Sequence, residues 1–447
     1  MQRIRIGAGA GYSGDRIEPA IDLAKRGKLD FLVFECLAER TITNAQLQLH
    51  TNEGPGYDPF LEDRMRAVLK ICHENKVRII TNMGGAHPIA AAQNISKIAH
   101  SMGLSSIRVA AIIGDDVLET CRAKAPCLVA TNDSDIIELS EQVISANAYI
   151  GAAEIAKALD EGADVVVTGR AADPALFLGP LVHSFGWSME DWDKLGKGTA
   201  VGHLLECAGQ ICGGYYADPG KKDVSELENI GFPYGDVNAD GDVEISKLPG
   251  TGGCITSATV IEQLLYEIHD PANYIQPDVI ADFSNITVKE LGADRVLVCG
   301  ATGRAKTSSL KVSVSYHDGF IGEGQISYAG PSAVARAQLA LEIVKKRLVD
   351  THFRDIRFDL IGLNALHGNK LSMGSEPYEV RVRVVAQSDH RKEADRIGNE
   401  VETLYTNGPA GGGGAWKSTR QSVSLTSALI NEDLVSPSVI FIEEKIS

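Results

Sequence analysis

Apolar residues in about the first 170 positions alternate between two periods. Short runs rich in Val, Ile and Phe, typical of buried strands, occur at 3–6, 30–35, 77–81, 107–113 and 163–167. Between these runs, apolar residues recur at helical spacing, as at Ile17, Ala20, Ile21 and Ala24. Alternation of strand and helix predicts a parallel, Rossmann-like sheet with helices on both faces.

The pattern changes in the second half of the chain. The segment 196–275 has helical patterns around two glycine-rich loops, with a turn-rich stretch, "PYGDVNADGDVEISK", between them. Further strands are predicted at 295–299, 310–316, 320–328 and 378–386, and further helices at 333–348 and 390–405. We therefore predict an α/β domain over 1–275 and a smaller α+β domain over 276–447.

The charge of the chain limits its partners. Its 447 residues include 59 acidic and 43 basic side chains, a formal net charge of −16. Nucleic acids and anionic membranes require positive potential, so we expect neither as a partner. No apolar run approaches ~18 residues and no leader pattern is present, so we expect a cytoplasmic protein. Eight widely spaced cysteines without a C-x-x-C pair indicate reduced thiols.

Functional side chains follow each predicted strand of the first domain. In an open parallel sheet, ligands bind outside the carboxyl ends of the strands. We therefore predict one shared site at this edge, formed by Glu35, Asn82, Gly84, Gly85, Asp115, Asp116 and Arg170. An arginine at a strand end is suited to clamp a carboxylate or phosphate.

The first strand is followed by a glycine-rich loop that fits G-x-G-x-x-G at Gly9, Gly11 and Gly14, with Ser13 inside it. This pattern is the fingerprint of a dinucleotide-binding loop, and Glu35 stands where the ribose-binding carboxylate is expected. Asp15 argues against that function, because it would put a carboxylate beside the pyrophosphate. The alternatives are an NAD or FAD site and a loop that binds another anion.

Two further motifs carry alternatives. Gly411, Gly412 and Gly413 precede Lys417 and predict either an anion-binding nest or a surface loop. His203 and Glu206 have the i, i+3 spacing that can pair a base with its orienter. We expect this histidine to be buried with its hydrogen bonds satisfied.

Ten ordered motifs resemble the AtuA-like acyclic terpene utilisation family over nearly the whole chain. They are "GAGYSGDR", "DFLVFECLAERT", "GYDP", "TNMGGAHP", "GDDV", "VVTGRAADPALFLGP", "ECAGQICGGYY", "PGTGGCIT", "LLYEIHDP" and "NGPAGGGG". The resemblance implies a role in bacterial degradation of citronellol and geraniol through branched acyl-CoA thioesters. Several members continue into a small ferredoxin-like domain. The resemblance therefore implies one of two alternatives: a separate small ferredoxin-like subunit supplies this domain as a partner, or the function does not need the domain.

Together these observations predict a hydratase or lyase that acts on a branched or unsaturated acid or its CoA thioester. Arg170 would hold the small anionic substrate, and the loop glycines would add backbone donors. Glu35 would transfer the proton, and Asp115 or Asp116 would orient it or bind a divalent metal ion. The alternatives are an NAD- or FAD-dependent oxidoreductase and a non-catalytic binding subunit. We also expect a homo-oligomer.

Overall fold

The computed structural model describes residues 3–124, 127–130, 142–372 and 374–443. The chain divides into two compact units. The first comprises 1–140, 144–314 and 425–447, and the second comprises 141–143 and 315–424. Each unit is described by itself below.

The described elements alternate between strands and helices over the first half of the chain. The strands are β1 (Arg3–Ala10), β2 (Phe31–Phe34), β3 (Arg78–Thr81), β4 (Val109–Ile113), β5 (Val129–Ala130), β6 (Val143–Ala148), β7 (Val165–Thr168), β8 (Pro233–Asn238), β9 (Val243–Lys247), β10 (Tyr274–Ile275), β11 (Ile280–Asp282), β12 (Thr287–Gly292), β13 (Arg295–Cys299), β14 (Thr302–Arg304), β15 (Ser309–Ala329), β16 (Asp355–Ile361), β17 (Glu379–Ser388), β18 (Gly413–Asn431) and β19 (Ser438–Phe441). The helices are α1 (Glu18–Arg26), α2 (Glu39–Thr51), α3 (Leu61–Asn75), α4 (Pro88–Ser101), α5 (Leu118–Ala123), α6 (Ala153–Asp160), α7 (Ala175–Phe185), α8 (Trp192–Leu205), α9 (Ser257–Leu265), α10 (Ala333–Arg347), α11 (Arg391–Glu402) and α12 (Leu404–Asn407).

A ten-stranded sheet forms the centre of the first unit, in the order β12-β13-β9-β8-β1-β2-β3-β7-β4-β19. The five strands β1, β2, β3, β7 and β4 are parallel to one another. The strands on either side of them are antiparallel. Strands β2 and β7 are buried at every position, as expected for a sheet covered on both faces. The sequence-based prediction of a mixed α/β fold with parallel strands is confirmed, and the finer description as Rossmann-like stays a prediction.

Two predictions about this sheet need correction. The first strand does not end before the glycines: β1 continues to Ala10, so Gly7 and Gly9 are strand residues. The turn-rich stretch between the two glycine loops forms the hairpin of β8 and β9. Through this hairpin, β12 and β13 join the same sheet as β1. The division into two domains at residue 275 stays a prediction.

The second unit contains an antiparallel sheet in which β17 lies between β15 and β16. Its strands alternate cleanly: Val380, Val382 and Val384 are buried, whereas Arg381 and Arg383 on the opposite face are half-buried. The buried face packs with α10 and α11 around a core that includes Leu341 and Ile397. The strands predicted at 310–316 and 320–328 are a single strand, β15.

Among the residues that the structure describes, every helix is too short or too polar to cross a lipid bilayer.

Candidate active site

Glu35 and Asn82 meet where β2 and β3 end. Each residue directly follows its strand, and the two strands pair in parallel. Asn82 Nδ2 donates a hydrogen bond to Glu35 Oε1 at 2.8 Å. The same oxygen accepts from the backbone N–H of Leu37 at 3.0 Å. These two sequence-predicted residues are therefore in direct contact.

The environment of Glu35 favours its protonated form. The residue is 8% exposed. Burial, together with repulsion from Asp173, raises the pKa of Glu35 to about 8, although the hydrogen bond from Asn82 and the charge of Arg170 oppose the shift. A carboxyl group with this pKa keeps its proton at neutral pH and can give it to a bound molecule. Glu35 is therefore suited to general-acid chemistry.

The raised pKa of Glu35 predicts that stability falls as pH rises. Between its usual pKa near 4.5 and the folded value of about 8, the folded protein holds this proton more tightly than the unfolded chain does. Stability from this group is therefore fully present at low pH and is lost towards pH 8, by up to ~1.4 kcal/mol per pH unit. Urea unfolding of the wild type and of Glu35→Gln over this range measures the effect. We expect a steeper loss in the wild type, and equal slopes would contradict the raised pKa.

Arg170 is the buried cation of this cluster. It is 1% exposed, and its Nη1 donates to the carbonyl oxygen of Leu37 and to Asp173 Oδ1, the latter at 2.8 Å. Its guanidinium carbon lies 4.1 Å from the centre of the Tyr149 ring. Burial opposes the charge, but Asp173, Tyr149 and Glu35 outweigh it and raise the pKa of Arg170. Its Nε has no hydrogen-bond partner among the described residues, so it is a donor that an anion could use. Anion binding by Arg170 stays a prediction.

Glu39, Tyr149 and Lys311 extend the cluster. Tyr149 Oη donates to Glu39 Oε1, and Lys311 Nζ lies 3.1 Å from the same oxygen. Lys311 Nζ also lies 4.7 Å from the centre of the Tyr149 ring. Burial opposes ionisation of Glu39, but Tyr149, Arg170 and Lys311 lower the pKa of Glu39 to about 2. Glu39 is therefore ionised, whereas Glu35 nearby in sequence keeps its proton.

Asp115 and Asp116 follow β4 but differ in environment. Asp115 is buried and accepts hydrogen bonds from the backbone N–H of Arg170 at 2.8 Å and from Asn147 Nδ2 at 2.9 Å. Burial raises the pKa of Asp115 to about 6. Asp116 is exposed and accepts from Gln46 Nε2 at 3.1 Å. Within the described ranges, no group of three or more His, Cys, Asp or Glu side chains is arranged to hold a metal ion.

The glycines of the first loop are explained by close packing. A Cβ on Gly9 would lie 2.6 Å from the Phe34 ring, and a Cβ on Gly11 would lie 2.6 Å from the backbone of Cys207. The N–H of Gly11 donates to Asp15 Oδ2 at 2.9 Å. A pyrophosphate at this N–H would have to displace the carboxylate of Asp15. The geometry thus disfavours the dinucleotide alternative.

A second buried arginine, Arg64, supports the same loop. Its Nη2 donates to the carbonyl oxygen of Asp15 at 2.9 Å, and its Nη1 lies 3.8 Å from Asp58 Oδ1. Ser13 hydrogen-bonds the carboxylate of Asp58, so this predicted site residue helps to hold the loop. Gly14 packs against the aromatic ring two residues before it. Sequence reasoning missed Arg64, because it lies within the amphipathic pattern of α3.

Gly84 and Gly85 form the tight turn between β3 and α4. A Cβ on Gly84 would lie 2.4 Å from the carbonyl oxygen of Thr168, at the end of the neighbouring strand β7. Gly85 has a φ of +55°, which side chains disfavour, and its N–H donates to the carbonyl of Asn82 at 3.3 Å. Gly84 therefore allows the turn to lie against the end of β7, and Gly85 allows the turn itself.

His203 and Glu206, at the end of α8, form a buried pair. His203 Nδ1 lies 2.9 Å from Glu206 Oε1. Among the described residues, His203 Nε2 and Glu206 Oε2 have no hydrogen-bond partner. The prediction that the hydrogen bonds of this histidine are satisfied is therefore wrong for Nε2. Burial raises the pKa of Glu206, and Asp173 adds to the shift. The helix that carries this histidine comes close to the segment of Asp173, because a Cβ on Gly202 would lie 2.6 Å from the backbone of Pro174.

The second glycine cluster belongs to the second unit. Gly411 has a φ of +74°, and Gly412 faces Ile326 and Tyr328. Around a Cβ built on Gly413 there is open space. Lys417 Nζ pairs with Glu402 Oε2 at 2.6 Å. Anion binding by this segment stays a prediction, and in this structure the Lys417 charge is already paired.

The first unit is thus an α/β unit in which the ends of parallel strands hold a buried cluster of carboxylates around one arginine. The sequence model of the family described as acyclic terpene utilisation family protein AtuA matches residues 4–441. The chain belongs to this family, which confirms the resemblance found in the sequence and implies involvement in acyclic terpene utilisation. No curated protein and no solved structure was found to match the chain.

Proposed function

We propose that the chain is a hydratase or lyase that acts on a branched or unsaturated organic acid or its CoA thioester. The observation that carries this proposal is the placement of Glu35: a buried carboxyl at the end of a parallel strand, where it accepts hydrogen bonds from Asn82 Nδ2 and from the backbone N–H of Leu37. Family membership supports the substrate class, because acyclic terpenes are branched and unsaturated.

Elimination of water breaks a C–O bond and removes a proton from the neighbouring carbon. Glu35, protonated at neutral pH, would give its proton to the leaving hydroxyl group. His203 is the proposed acceptor of the carbon-bound proton, because Glu206 holds its Nδ1 and its Nε2 has no partner among the described residues. Hydration of the double bond is the reverse of these two transfers.

Arg170 would stabilise charge that develops on the carboxyl or thioester oxygen of the substrate, with Nε–H as the donor. Its bond to Asp173 supports this role, because it keeps the guanidinium group fixed before the substrate arrives. In the same proposal the parallel strands form a Rossmann-like sheet and the protein is cytoplasmic. It forms a homo-oligomer and has a separate small ferredoxin-like subunit as partner.

The test is turnover by the purified full chain. A methyl-branched 2-enoyl-CoA and the matching free acid are incubated with the protein, and products are identified by mass spectrometry. We expect a product heavier by one water, and none with Glu35→Gln. A parallel reaction receives NAD or FAD. A redox product that forms only in that reaction would favour an oxidoreductase, and no product in any reaction would contradict the proposal.

A further inference from the structure

A surface cleft lies in the first unit between α9 and the segment that follows α8. Three tyrosines, Tyr215, Tyr216 and Tyr266, line it together with Gln263. None of these residues belongs to the predicted strand-end cluster. The cleft therefore needs its own explanation.

Gln263, one of the residues that line this cleft, has an unused acceptor. The residue is 1% exposed, and its Nε2 donates to the carbonyl oxygen of His203 at 3.0 Å. Its Oε1 is buried and has no hydrogen-bond partner among the described residues. Burying an acceptor without a donor is unfavourable, so such an atom calls for an explanation. A ligand that enters the cleft with an O–H or N–H group would satisfy it.

Tyr215 has an unfavourable backbone conformation and an exposed aromatic ring. It is 91% exposed and has a φ of +64°, a backbone conformation that is rare for a bulky side chain. Strain of this kind clusters at sites that bind ligands. On the other side of the cleft, burial raises the pKa of Tyr266 to about 12, so its hydroxyl stays neutral.

The charges at the rim of the cleft neutralise one another. Lys222 Nζ lies 2.7 Å from Glu262 Oε2 and 4.6 Å from the centre of the Tyr216 ring. A phosphate group would find no unpaired cation at this rim. The aromatic walls with one buried acceptor instead suit an uncharged aliphatic chain that carries a hydrogen-bond donor.

We propose that this cleft binds the branched aliphatic part of the substrate, with a hydroxyl group of the chain, other than the one that leaves at Glu35, donating to Gln263 Oε1. The proposal rests on the proposed function for the identity of the substrate. The cleft adjoins the proposed base, because Gln263 Nε2 donates to the carbonyl oxygen of His203 at 3.0 Å. The hydrocarbon chain would lie between the tyrosines while its acid end reaches Glu35.

Titration calorimetry with a saturated, methyl-branched ten-carbon alcohol tests the cleft without turnover. The Glu35→Gln chain is used throughout as the background, so binding is measured in protein that is expected to be inactive. We expect saturable binding with a negative heat-capacity change, and about tenfold weaker binding in Tyr215→Ala. Tyr378→Ala, which removes an exposed tyrosine of the second unit (77% exposed), is the matched control and should bind as the background does.

Three outcomes would contradict the proposal that the cleft binds an aliphatic chain: no saturable binding of the alcohol, equal affinity of Tyr215→Ala and the background for the alcohol, or tighter binding of pantetheine than of the alcohol. Gln263→Met should also weaken binding of the alcohol. If this variant does not fold, the Tyr215→Ala result alone tests the proposal. The two proposals fail in different ways. If the alcohol binds as expected but the wild type shows no turnover, the proposed reaction is wrong and the proposed cleft stands. If the wild type shows turnover but the alcohol does not bind, the proposed cleft is wrong and the proposed reaction stands.

Discussion

Replacing Glu35 with glutamine is expected to lower kcat of the proposed reaction by about 10²–10⁴-fold, the usual contribution of a general acid or base. The amide can still accept from Leu37 N–H and Asn82 Nδ2 through its oxygen, so the local structure should persist. It cannot transfer a proton. At pH near 8 the variant should be at least as stable as the wild type, because it avoids ionising a buried carboxyl group.

The control for this variant is Glu161→Gln. Glu161 is an exposed residue that directly follows α6, and α6 leads into the start of β7 rather than its carboxyl end. The Glu161→Gln variant should keep the kcat of the wild type. Steady-state rates and urea unfolding are measured on both variants. If the Glu35→Gln variant keeps full activity, Glu35 does not take part in the mechanism. If the variant is unfolded, the role of Glu35 is structural.

The parallel strands could be predicted because buried strands are continuous apolar runs. Observed strands such as β2 and β3 lie within the predicted ranges, with ends shifted by one residue. Once the strands were placed, the residues that follow them had to share one edge of the sheet. This is why Glu35 could be predicted near Asn82, and Asp115 near Arg170, although each pair is distant in sequence.

The partners that set the charge of the site could not be predicted. Lys311 and Glu39 are 272 positions apart, and nothing in the local pattern around either residue indicates the other. Tyr149 directly follows β6 and belongs to no motif, yet it hydrogen-bonds Glu39 and stacks on Arg170. These contacts depend on how elements far apart in sequence pack together, which periodicity does not encode.

The first glycine loop shows how a motif can match for another reason. Glycines at 9 and 11 are needed where Phe34 and the backbone of Cys207 come close, and this packing requires the same residues as a pyrophosphate loop. Asp15 was the informative departure from the dinucleotide pattern, and its carboxylate is bound to the Gly11 N–H. A single residue that conflicts with a motif can therefore carry more information than the glycines that fit it.

Replacing Arg170 with methionine is expected to lower the free energy of unfolding by about 1–3 kcal/mol, because the buried carbonyl oxygen of Leu37 loses its charged donor and the half-buried Asp173 loses its ion-pair partner. Methionine can fill much of the space, but it supplies neither a charge nor the donors to Leu37 and Asp173. Urea unfolding at neutral pH measures the loss.

The matched control is Arg66→Met, which removes a half-exposed arginine paired with Glu62 on α3 and should change stability by less than about 1 kcal/mol. Arg170 also lowers the pKa of Glu35 and of Glu39. Without it, the folded protein holds these protons more tightly, so the stability difference between wild type and Arg170→Met should grow as pH rises. A loss no greater than that of the control, or one that does not change with pH, would show that these carboxylates do not depend on Arg170.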